Sequence, residues 1–233
     1  LVANISHDLR TPLTLITGYA EVMRDLPDEN TPENIQIIID EATRLSTLVN
    51  DVLDLSKLQA GVVSLEKRVY NLTASVRGIL TRYSKMTDYH IVFYASEDVY
   101  ICADELKISQ VVYNLVNNAM TYTGNDKSVI LRQRVEEGKV RISVSDTGEG
   151  IPQDKLNDIW ERYYKVDKAH KRAQVGTGLG LAIVKMILDL HGGAYGVQSR
   201  EGIGSTFWFE MDAVASPTEK ERSLPEAPLE QVQ

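Results

Sequence analysis

Ile35, Ile38, Ala42, Leu45, Val49 and Val52 recur every three or four positions with neither proline nor glycine between them. Side chains on a strand alternate with period two, so this spacing requires a helix. Thr31-Pro32 marks its start, a hydroxyl residue followed by a proline whose fixed φ suits the first turn, and Ala60-Gly61 marks its end. Such a helix, from about Pro32 to Leu58, is roughly 40 Å long. Ile5, Leu9, Leu13, Ile16 and Ala20 repeat the stepping, which predicts an earlier helix over residues 1 to 24. Residues 25 to 33 hold two prolines and several turn formers, so the two helices form a hairpin. Ile39, Leu48 and Leu53 fall outside the seam. A dimeric four-helix bundle would cover them, and packing of the hairpin on the rest of its own chain is the alternative.

The pattern changes after Gly61. Residues 62 to 72 read as a strand, 73 to 87 as a helix, and 90 to 95 and 99 to 103 as short strands. A helix capped by Asp104 should run to about Tyr122, its apolar positions Ile108, Val111, Val112, Leu115, Val116 and Ala119 facing inward. Alternating strands over 128 to 135 and 139 to 145 meet at Glu137-Gly138, a helix ends near His191, and strands at 194 to 199 and 205 to 211 follow. Strands beside three helices predict an α+β chain whose second part, residues 61 to 212, is a two-layer α/β sandwich. The proline- and glutamate-rich residues 213 to 233 read as a disordered tail.

Net charge is −8 with no Lys/Arg-rich block, which argues against a nucleic-acid partner. The single cysteine, Cys102, excludes an intramolecular disulfide, fits a reducing compartment and has apolar neighbours that suggest a core position. There is neither an apolar run of about 18 residues nor a signal peptide. The chain begins inside the apolar repeat without a Met, so the expectation is a cytoplasmic fragment, with any membrane anchor in a missing upstream segment.

Chemistry-bearing residues cluster in five stretches. In the first, Ser6 to Thr14, Asp8 follows His7 and can fix its tautomer, leaving the other ring nitrogen as a nucleophile, and Thr11 lies one turn on. Pro12 should bend this helix; alternatively Thr11 caps a helix starting at Pro12, and His7 stands in a loop. In the second, Asn114 and Asn118 share one helical face and offer carboxamide oxygens suited to Mg²⁺ on phosphate. In the third, Asp146 ends a strand ahead of Gly148 and Gly150, a carboxylate that can accept an adenine amino group beside glycines that admit a ligand. In the fourth, Trp160 to Lys165 joins aromatics to cations, with Trp160 read as core. In the fifth, Gly176, Thr177, Gly178, Leu179 and Gly180 open a helix whose free N–H groups suit phosphates, unless the stretch is only a flexible loop. Neither a Rossmann fingerprint nor a P-loop fits it.

Taken together, these stretches resemble the boxes of the sensor histidine kinases of two-component signalling, in the expected order, over residues 1 to about 211. The resemblance implies a dimerisation and phosphotransfer hairpin over residues 1 to 60 and a Bergerat-type ATP-binding domain beyond it. It implies His7 as phosphoacceptor, Asp8 as its orienting base and Thr11 as the residue that places water for dephosphorylation of a response-regulator receiver domain, the implied partner. It further implies ATP and Mg²⁺ as cofactors, with Asn118 as metal ligand and Asn114 near the phosphates. Tyr122 would lie beside the base, Asp146 would read adenine, and Thr206 would share a water with that carboxylate. Three departures stand out. Thr121 replaces a frequent lysine, for which Lys165 or Lys168, Lys171 and Arg172 could compensate; Val175 replaces a glycine; Trp160 replaces a phenylalanine. An ATP hydrolase of the same superfold would need a glutamate where Asn114 stands, and an amide is no general base. A docking and phosphatase module with ATP as allosteric ligand is the other rival, favoured only by Thr121.

Overall fold

The structure is a computed structural model that describes residues 2–61, 63–83, 88–161 and 177–216. α1 (Val2–Asp25) and α2 (Pro32–Gln59) form the expected hairpin, joined through a short 3₁₀ turn at Pro27–Glu29. The hydroxyl of Thr31 accepts the N–H of Asn34 at 3.2 Å, capping α2 with Pro32 in its first turn. Pro12 does not start a helix. It is buried inside α1, so His7 stands on a helix and not in a loop.

The inner face of the hairpin differs from the expected seam. Leu48, placed outside it by the spacing, is 2% exposed, whereas Leu13 is 54% and Ile35 and Val49 are each 42% exposed. α2 carries apolar residues on two adjoining stripes, and period alone does not say which stripe meets α1.

The second part is a seven-stranded sheet with helices packed against it: β1 (Arg68–Asn71), β2 (His90–Tyr94), β3 (Tyr100–Ala103), β4 (Ser128–Glu136), β5 (Lys139–Asp146), β6 (Ala194–Arg200) and β7 (Gly204–Val214). The order is β1-β3-β7-β5-β4-β2, with β6 also on β7; among the described residues β2 and β4 pair in parallel and the other pairs are antiparallel. Inward residues Val140, Ile142 and Val144 of β5 and Phe207 and Phe209 of β7 share one core with α3 (Leu72–Tyr83), α4 (Glu105–Tyr122) and α5 (Gly180–His191). Asp104 caps α4 by accepting the Lys107 N–H at 3.1 Å. Glu137 and Gly138 both take positive φ, 50° and 75°, as the tight β4–β5 turn requires.

Three expectations change. The first strand shrinks to 68–71, because its partner β3 is only four residues long. β7 continues through Ala213 and Val214, which pair with Ile101 and Tyr100, so the sheet passes the boundary drawn at 212. Cys102 is exposed, since the alternation of β3 turns Ile101 and Ala103 inward instead. The hairpin is also not packed apart from the sandwich. Leu55 and Leu58, each 5% exposed, belong to the sandwich core.

Candidate functional site

His7 lies on α1 with 79% of its side chain exposed, and its Nδ1 is 3.4 Å from Asp8 Oδ1. With the Nδ1 proton directed at Asp8, Nε2 keeps its lone pair and faces solvent. One turn on, Thr11 donates its hydroxyl to the His7 carbonyl at 3.2 Å. The sequence therefore brings these three groups together through helical geometry alone.

On α4, Asn114, Asn118 and Tyr122 are spaced by four and share a face. Asn114 packs beside the start of α5, where a Cβ on Gly180 would lie 3.6 Å from its Oδ1. Its Nδ2 is buried with no hydrogen-bond partner among the described residues. An unpaired buried amide is costly, and a ligand oxygen would satisfy it.

Tyr122 ends the helix and crowds the next stretch: a Cβ at Gly148 would lie 2.0 Å from the Tyr122 carbonyl oxygen, so only glycine fits. Asp146, 8% exposed at the end of β5, accepts the Gly148 N–H at 2.9 Å and the Ser205 N–H at 3.3 Å. Burial pushes its carboxyl above the usual carboxylate range, and the two backbone N–H groups partly oppose this. Gly150 packs against the Arg200 carbonyl in the same way.

Two residues missed from the sequence complete this corner. Gly204 takes φ +132°, and a Cβ there would lie 2.1 Å from the Asp146 carbonyl oxygen. Ser205 follows it and donates its backbone N–H to the Asp146 carboxylate, while its hydroxyl bonds the Ser199 hydroxyl at 2.9 Å. Thr206 does not reach that carboxylate. Its hydroxyl bonds Ser145 at 2.8 Å on the opposite face of the sheet, because neighbours in a strand point to opposite sides. Strand alternation was the available signal: with Asp146 inward, the inward residue of the facing strand is Ser205.

In the last glycine stretch, Thr177 donates to Asp51 of α2 at 2.9 Å and accepts the Leu179 N–H at 3.2 Å. Gly178 takes φ +70°, and Gly180 begins α5. Leu179 is fully buried, so its side chain serves the core and not a ligand. Trp160 packs on Tyr195 and Phe207 with ring centroids 4.8 and 6.0 Å away, the core role expected of it. Thr121 spends its hydroxyl on the Asn117 carbonyl at 2.8 Å. Lys165, Lys168, Lys171, Arg172, Val175 and Gly176 lie outside the described residues.

Two family models match the chain in tandem: the His Kinase A (phospho-acceptor) domain over residues 1–61, and the histidine kinase-, DNA gyrase B- and HSP90-like ATPase over residues 103–215. With the phosphoacceptor hairpin and the Asp146 corner in place, the chain belongs to the sensor histidine kinases. The sensor protein SrrB of Staphylococcus aureus is 36% identical over 218 residues, which are 90% of this chain and 37% of SrrB. The chain thus spans well under half the length of the curated relatives it matches. Full-length ShkA in complex with AMPPNP superposes with a TM-score of 0.67 at 30% identity, over 93% of this chain and 46% of that one. Histidine kinase ThkA, solved in complex with the response regulator TrrA, gives a TM-score of 0.72 at 29% identity, over 91% of this chain and 61% of that one.

Proposed function

We propose that this chain is the kinase core of a sensor, which phosphorylates His7 from ATP and passes the phosphoryl group to an aspartate of a response regulator. The observation that carries the reading is the joint presence of an exposed, Asp8-paired His7 and a nucleotide corner with an orphaned Asn114 amide. Nε2 of His7 attacks the γ-phosphorus, the bond to the β-phosphate oxygen breaks, and ADP leaves. Asp8 holds the Nδ1 proton and orients the ring. The N–P bond then breaks as a carboxylate oxygen of the regulator takes the phosphoryl group. Asp146 reads the adenine amino group, Tyr122 lies beside the base, and Asn114 and the start of α5 face the phosphates.

Asn118 would hold Mg²⁺ through its carboxamide oxygen, and the ion would offset the negative charge of the phosphates. The donor set suits a metal carried in by nucleotide: among the described residues no group of three or more His, Cys, Asp or Glu could hold one. A homodimer through the hairpin is supported by the outer stripe of Leu13, Ile35, Ile39, Val49 and Leu53, all 42 to 54% exposed. No helix among the described residues is long and apolar enough to cross a membrane, so an anchored sensor would need other segments.

Incubation with γ-labelled ATP and Mg²⁺ tests the reading. Label should survive alkali, be lost in acid and be absent from His7→Gln. A second reading, a regulator phosphatase with Thr11 placing the water, is favoured by Thr121, which supplies no cation for phosphate. Tight ATP binding with no label on His7, together with dephosphorylation of a phosphorylated regulator that Thr11→Ala abolishes, would establish it.

A further inference from the structure

Asp51 and Asp54 leave α2 three residues apart, both partly buried toward the sandwich. Asp54 accepts the Gln110 amide at 2.7 Å, and Asp51 accepts the Thr177 hydroxyl at 2.9 Å. That hydroxyl in turn accepts the Leu179 N–H, one residue before α5 begins. A carboxylate of the hairpin is therefore linked, through the Thr177 hydroxyl, to the segment that leads into α5, and the start of a helix is where backbone N–H groups and the dipole attract anions. α5 has no acidic residue in its own first turn. The unpaired Nδ2 of Asn114 lies in the same corner, its amide packed against Gly180.

We propose that Asp51 is a built-in stand-in for nucleotide phosphate, which competes with the incoming phosphates for Thr177 and the start of α5. This rests on the reading above that the α5 end holds phosphate. Competition makes the contact reciprocal: nucleotide releases Asp51 from Thr177 while Leu55 and Leu58 stay in the core, and any shift of α2 that withdraws Asp51 tightens nucleotide. The contact is poised to yield. Burial raises the Asp51 carboxyl above its ordinary range, the bond from Thr177 opposes this, and the neighbouring Asp54 adds repulsion. Asp51 is a positioning residue and touches no reacting atom.

The test is calorimetric titration of the whole chain with Mg²⁺ and AMPPNP, and with adenosine, in wild type, Asp51→Asn, Asp51→Ser and Asp54→Asn. Both Asp51 variants should bind AMPPNP about three- to tenfold more tightly, the range expected of one charge at a helix end, with adenosine within about twofold. The KM of autophosphorylation for ATP should fall by the same factor with kcat unchanged. Asp54→Asn loosens the same junction without touching the α5 end and should leave AMPPNP within about twofold. An Asp51 variant that binds AMPPNP no more tightly than wild type overturns the proposal, as does an equal gain in Asp54→Asn. Absence of AMPPNP binding in every protein would overturn the ATP reading itself, and this proposal with it.

Discussion

At the scale of single residues, the corner around Asp146 is defined by what cannot be added to it. Gly148→Ala places a methyl 2.0 Å from the Tyr122 carbonyl, and the collision is with backbone, so the loop must move. ATP binding should fall by at least about tenfold, measured by titration, with the fold retained by circular dichroism. Asp146 makes a different prediction. Its raised pKa means that the folded chain holds a proton there better than the unfolded chain does. Stability tied to this group is therefore greatest in acid and declines as pH rises from the unfolded to the folded pKa. On the proposed reading, in which Asp146 accepts the adenine amino group, binding has the opposite sense, since only the carboxylate accepts well, so ATP affinity should drop as pH falls through that raised value. Asp146→Asn should cost ATP about tenfold or more, the scale of one charge-assisted hydrogen bond, without lowering Tm. The place of Asp146 was legible, because a carboxylate followed by two glycines marks the end of a strand that the chain leaves through tightly packed backbone. Ser205 was not, because its contact with Asp146 is a backbone N–H, which any residue carries and which only the pairing of β5 with β7 brings to the carboxylate.

At the scale of elements, period and caps located nearly every helix and strand. Thr31 and Asp104 cap where their side-chain chemistry directs, and Gly61 and Gly138 take the positive φ that the ends of α2 and of the β4–β5 turn require. What spacing left open was the partner of each face. α2 is apolar on more than one stripe, so assigning Leu48 inward and Ile35 outward needed α1 in three dimensions. The outer stripe yields a prediction of its own. Leu53→Asp and Ile39→Asp together place two charges on a face that a second hairpin would bury. If the proposed dimer forms through this face, sedimentation should show a dimer for the parent chain and a monomer for the double variant, with the Tm of the sandwich unchanged.

At the scale of the whole molecule, the two-part organisation was readable, but the seam between the parts was not. Composition changes at Gly61, whereas packing ignores that point: Leu55 and Leu58 lie in the same core as Val184 and Ile187 of α5. Burial of that kind depends on contacts far apart in the chain, which local pattern does not encode. This has a bearing on how the molecule is divided at the bench. An ATP-binding fragment cut at residue 61 would bare the apolar floor under both leucines, a loss of about 1.5 to 3 kcal/mol for each side chain. Such a piece should melt at a lower temperature and bind hydrophobic dyes, and one cut ahead of Leu48 should do neither. The last turns of α2 are in this sense the cornerstone of the neighbouring domain, set in place by the strand of sequence that precedes it.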